Sequence, residues 1–145
     1  MKALLSRVAL ASVLMGASVM ATAAGLESVE APAGAKVAIL SPADGATVDK
    51  TFTVKFGIEG MDLKPAGDPT PHTGHHHLLI DVDTLPAENA PIPADANHVH
   101  FGKAQTETEV TLTPGKHTLQ LELGDKYHVP FKPAVVSEKI TVNVK

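Results

Sequence analysis

The chain has 145 residues, 16 acidic and 12 basic, for a formal charge of −4, and it contains no cysteine. The absence of thiols excludes disulfide staples, thiolate metal sites and thiol catalysis, and the mild acidity argues against nucleic acid and against tight binding to anionic lipid. Tryptophan is absent and there is 1 tyrosine, which leaves no aromatic platform, whereas histidine stands out with 8 residues, all between His72 and His128.

The N-terminus reads as a secretion signal. Lys2 and Arg7 form a positive start, an uncharged apolar run follows from Val8 to Met20, and Ala21 and Ala23 fit the small-x-small pattern of a signal peptidase. Cleavage is expected after Ala23 or Ala24, giving a signal over 1–24. The apolar run is shorter than the roughly 20 residues that span a bilayer, so no membrane anchor is expected, and no cysteine is available for lipidation. The expected compartment is the periplasm or the exterior. Loss of Lys2 and Arg7 makes the mature form more acidic still. About 120 residues then remain, enough for one domain.

Residues 25–35 read as a flexible leader and 36–145 as the single domain. Lys36–Leu40 is a short strand, and Ser41-Pro42-Ala43-Asp44-Gly45-Ala46 is turn chemistry. From Thr51 to Ile58, Phe52, Val54, Phe56 and Ile58 alternate with Thr51, Thr53 and Lys55, the period of a half-buried strand. A Pro/Gly/Asp-rich loop covers 59–74. His75–Asp83 is a strand, 84–96 a second loop with Pro86, Pro91 and Pro93, and His98–Phe101 a short extended piece. Strands are also expected over Thr106–Leu112, over Lys116–Leu123 with Leu119, Leu121 and Leu123 inward, and over Glu138–Val144 with Ile140, Val142 and Val144 on one face. About seven strands without an amphipathic helix predict an antiparallel β-sandwich of immunoglobulin or fibronectin type. The opening Ala38–Val48 resembles the first strand and turn of bacterial immunoglobulin-like modules.

The histidines fall in three places: His75-His76-His77, His98-Val99-His100, and His117 with His128. Strand parity puts His76 with Leu78 and Ile80, and His75 and His77 on the opposite face with Leu79 and Asp81. His98 and His100 share a face about 6–7 Å apart, a spacing that suits a shared metal ion. His117 has the parity of Leu119 and Leu121. If strand ends meet at one rim, four or more imidazoles converge there, and His75, His76, His77, His98, His100, His117 and His128 are the candidate metal ligands. Asp81, Asp83, Asp95 and Glu107 are candidate carboxylate ligands or partners that orient imidazoles. Met61 is a possible soft ligand for Cu(I). A histidine brace would need an N-terminal histidine, which the expected cleavage does not expose.

In combination, Gly74-His75-His76-His77-Leu78-Leu79-Ile80-Asp81, the run Pro93–Gly102, Gln105-Thr106-Glu107, Pro114–Leu121, Gly124-Asp125 with His128-Val129-Pro130, and Ser137-Glu138 resemble the bacterial family catalogued as domain of unknown function 4399. The resemblance runs from Met61 to Val144 and implies a short exported protein. It implies no activity. Where the family pattern carries a further histidine, this chain has Phe131.

These observations favour a periplasmic protein that binds copper or zinc through a histidine cluster, for buffering, delivery or tolerance. Copper is slightly preferred because Cu(II) tops the affinity order for nitrogen ligands. Besides the ion, another periplasmic protein is the expected partner. The alternative is an immunoglobulin-like binding or adhesion module whose histidines form a structural rim without metal. An enzyme is not favoured: three histidines with an open position could activate water, but no nucleophile motif and no His-Glu-x-x-His is present.

Overall fold

The computed structural model describes residues 26–145, so the expected secretion signal lies outside the described residues. Nine strands follow in order: β1 (Lys36–Ser41), β2 (Thr47–Val48), β3 (Thr51–Glu59), β4 (Asp62–Leu63), β5 (Thr73–Ile80), β6 (His98–His100), β7 (Glu107–Thr111), β8 (Gly115–Gly124) and β9 (Ile140–Val144). No helix occurs among the described residues. The seven longer strands match the alternating stretches of the sequence, and β2 and β4 are two-residue additions.

The strands form an all-β sandwich of two sheets. One has the order β1-β3-β7 and is antiparallel throughout. The other runs β2-β9-β8-β5, and the far edge of β5 is shared by β4, parallel to it, and β6, antiparallel to it. Alternation dictates what lies between the sheets. Val37, Val54, Phe56 and Val110 from the first meet Leu78, Ile80, Leu119, Leu121, Leu123, Ile140, Val142 and Val144 from the second in one buried core. Met61 is packed into this same core.

All eight residues of β5 are buried. Its inner face carries His76, Leu78 and Ile80. Its outer face carries His75, His77 and Leu79, which are 1% exposed each. The segments that follow β5 and β8 supply Ile92 and Val129, both buried outside the main core. These segments are joined to each other, since the Ile92 N–H donates to the His128 carbonyl at 2.8 Å. A strand covered on both sides needs apolar or satisfied groups on both, and the histidine row sits where that requirement is hardest to meet.

The segment before β1 is also held. The Ala31 N–H donates to the Lys132 carbonyl at 3.0 Å and the Lys132 N–H to the Val29 carbonyl at 2.9 Å.

Candidate metal centre

Four imidazoles from three separate stretches meet on the outer face of β5. His75 and His77 are two apart on one strand and so point the same way. Register sets the third: His77 stands opposite His100 in the β5–β6 pair, and opposed residues of an antiparallel pair share a face. The fourth comes from a tight turn after β8. Asp125 accepts hydrogen bonds at Oδ1 from the N–H groups of Tyr127 (2.7 Å) and Val129 (3.0 Å). The Asp125 N–H donates to the Val129 carbonyl, and the His128 N–H to the Asp125 carbonyl, each at 2.9 Å. This ring of bonds holds His128 at φ 66°, a left-handed conformation that costs a side-chain-bearing residue about 1 kcal/mol or more.

The geometry is compact. Ring centroids lie 4.5 Å (His100–His128), 4.7 Å (His75–His77), 4.8 Å (His75–His100), 4.9 Å (His75–His128), 5.2 Å (His77–His100) and 5.9 Å (His77–His128) apart. One ligating nitrogen from each ring falls within 4.8 Å of all the others. His75 Nε2 and His128 Nδ1 are 3.0 Å apart. In a tetrahedral site with metal–nitrogen bonds of about 2.0–2.1 Å, the nitrogens stand about 3.4 Å apart. Small side-chain rotations therefore bring the four into coordination distance. Two glycines make the room. A Cβ at Gly124 would lie 2.6 Å from His77 Cε1, and one at Gly102 would lie 2.4 Å from His100 Cε1.

Electrostatics keeps the rings ready to bind. Burial, with the charge of His100 and His128 adding to it, depresses the pKa of His75 to about 3. Burial and the same neighbours take His77 to about 2. His100 is lowered as well, by burial first and His128 second. At neutral pH these imidazoles are uncharged, the form in which a ring nitrogen donates to a metal. His75 and His77 are buried, His128 is half-buried and His100 is exposed, so the cluster opens to solvent on the His100 side.

The other candidates lie elsewhere. His76 faces the core with both nitrogens unpartnered, its ring 5.1 Å from that of Phe56. Burial lowers its pKa to about 4. His98 shares the face of His77 but its Nδ1 is 2.7 Å from Asp95 Oδ1. His117 sits at the start of β8, against the far end of β5, because the two strands run antiparallel. Its Nδ1 is 2.7 Å from Asp81 Oδ2 and its Nε2 is 2.8 Å from the Thr113 carbonyl. The Asp81 hydrogen bond raises its pKa. Glu107 belongs to the opposite sheet and Asp83 to the exposed end of the loop after β5.

Sequence reasoning missed Glu122. It pairs with His77 across β5 and β8 and shares its face. It is 0% exposed and neither carboxyl oxygen has a partner. Burial raises its pKa to about 7. In the sequence it belongs to the polar row of a half-buried strand, and only the covering loops turn that row inward. The packing of Gly102 and Gly124 against imidazoles had no sequence signal.

A family model described as Domain of unknown function (DUF4399) matches residues 54–145, which include all four clustered histidines, and the chain belongs to this family. No curated protein and no solved structure matches the chain.

Proposed function

We propose that this member of the family is a periplasmic metal-binding protein that holds one copper or zinc ion on His75, His77, His100 and His128. The observation that carries the reading is the convergence of four ligating nitrogens, from β5, β6 and the turn after β8, within 4.8 Å of one another. Burying imidazoles without partners is costly, and an ion is the ligand that accepts four ring-nitrogen lone pairs at once. With no thiolate in the chain, copper is favoured over zinc by the affinity order for nitrogen donors. The secretion-signal pattern of residues 1–24 supports the periplasm. The exposed His100 is the side from which an ion enters and leaves, which suits buffering or delivery.

Thermal unfolding of untagged protein with Cu(II), Zn(II), Ni(II) or chelator tests this, together with elemental analysis. A specific ion at 1,000 times its Kd stabilises by about 4 kcal/mol. Paired substitution of His100 and His128 by Ala should abolish both the shift and stoichiometric uptake. Equal melting temperatures with metal and with chelator would leave the reading without support and favour a metal-free binding module.

A further inference from the structure

The row of groups across the sheet at the centre of the cluster runs Glu122 on β8, His77 on β5, His100 on β6. Two members of that row carry buried polar atoms with no partner: Nδ1 of His77 and both carboxyl oxygens of Glu122. Their Cα atoms are direct cross-strand partners, which places the two Cβ atoms about 4.5–5.5 Å apart on one face. Both residues are 1% exposed or less, so neither group reaches water. A buried acceptor and a buried potential donor at facing positions of two strands stabilise each other when they pair and cost free energy when they do not.

We infer that Glu122 is the positioning residue of this centre, its carboxyl accepting the Nδ1 hydrogen of His77 so that Nε2 carries the lone pair presented to the ion. The inference rests on the proposed metal reading for its purpose but not for its geometry. A ligating imidazole commonly gives its remote N–H to a carboxylate, and that contact selects the tautomer and fixes the ring plane. His77 has the greatest need of such a contact among the clustered rings, since its Nδ1 is buried without a partner. Of the acidic residues singled out by spacing, Asp95 is engaged by His98 and Asp81 by His117. Glu122, which is not among them, lies in the row of His77.

Two substitutions separate positioning from packing. Glu122→Gln keeps an acceptor oxygen in the same place, whereas Glu122→Leu removes it and leaves an apolar group of similar size. Zn(II) affinity, measured by chelator competition on untagged protein, should fall about 10- to 100-fold in the Leu variant and stay within a few fold in the Gln variant. Without metal the Leu variant should unfold at a lower temperature than the Gln variant, because it leaves the Nδ1 hydrogen of His77 buried and unpaired. Two-bond proton–nitrogen correlation spectra of the metal-free protein read the tautomer directly. His77 should carry its hydrogen on Nδ1 in the wild type and in the Gln variant, and lose that preference in the Leu variant. His77 found as the Nε2–H tautomer in the wild type overturns the inference, as does a Leu variant that binds Zn(II) as tightly as the wild type. Wild-type protein that takes up no metal while His77 shows the Nδ1–H tautomer upholds the hydrogen bond and overturns the metal reading.

Discussion

His75 Nε2 and His128 Nδ1 stand 3.0 Å apart across 53 residues of chain. One ring must donate and the other accept, an arrangement that fails when both are protonated, since every nitrogen is then a donor. The cluster is thus a structure of the neutral imidazole, and acid should dismantle it.

The pH dependence of stability follows with a definite sign. His75, His76 and His77 titrate in the folded protein at about 3, 4 and 2, against an ordinary 6.5. Below pH 6.5 the unfolded chain gains protons that the folded chain refuses, so stability falls as pH falls, by up to about 1.4 kcal/mol per pH unit for each group. Glu122 acts oppositely. Its value is raised from 4.5 to about 7, so its contribution is complete below pH 4.5 and is lost as pH rises through 7. The three imidazoles outweigh the one carboxyl. Urea midpoints should therefore be highest near neutrality and drop steeply from about pH 6.5 downwards. Glu122→Gln should raise the midpoint, and more at pH 8 than at pH 5. Flat midpoints between pH 7 and 5 would contradict the assignment.

Gly124→Ala and Gly102→Ala should differ in kind. The new methyl at 124 meets His77, which is buried and has nowhere to go. Overpacking of this sort costs about 1–3 kcal/mol, and metal uptake should fall with stability. At 102 the methyl meets the exposed ring of His100, which can swing into solvent. That variant should keep its denaturation midpoint while its affinity for the ion drops. Calorimetric titration beside chemical denaturation reads both.

His76→Leu should stabilise the protein. The imidazole is 0% exposed, unpartnered at both nitrogens and set against Phe56. Removing an unsatisfied buried polar group recovers about 1–3 kcal/mol. Metal stoichiometry should be unchanged, because this ring points to the opposite side of β5 from the cluster. Loss of metal in this variant would place His76 among the ligands.

Asp81→Asn should lower the pKa of His117 toward its ordinary value, as followed by the ring proton shifts in NMR. The pair is partly exposed, so the change in stability should stay within about 1 kcal/mol. Because the folded value is raised, the contribution is present below pH 6.5 and disappears as pH rises through the folded pKa. The backbone at Asp81 has φ 56°, which asparagine also tolerates, so the loop conformation should persist.

Much of this architecture was legible in the residues themselves. The period of two over 51–58, 116–123 and 140–144 placed Val54, Phe56, Leu119, Leu121, Leu123, Ile140, Val142 and Val144 inward, where they are found. The same parity separated His76 from His75 and His77. The convergence of His100 and His128 on those two was not legible, because it depends on the His77–His100 register and on a turn closed by Asp125. Neither leaves a periodic trace. Alternation cannot report that residues after β5 and β8 fold back over the outer face of β5. The rings meet on a covered face rather than at a rim for this reason. His117 belongs to the same strand pair but to its other end, a consequence of strand direction that parity does not encode.

The placement of the four rings has a mechanical side. One pair is on β5, one ring is on a three-residue strand, and one is in a turn. An ion bound to all of them would close the chain between His77 and His100 and again between His100 and His128. In a protein without cysteine, coordination would then supply a covalent-like staple that chelators can undo. Resistance of the 81–97 segment to protease would become a gauge of ion occupancy.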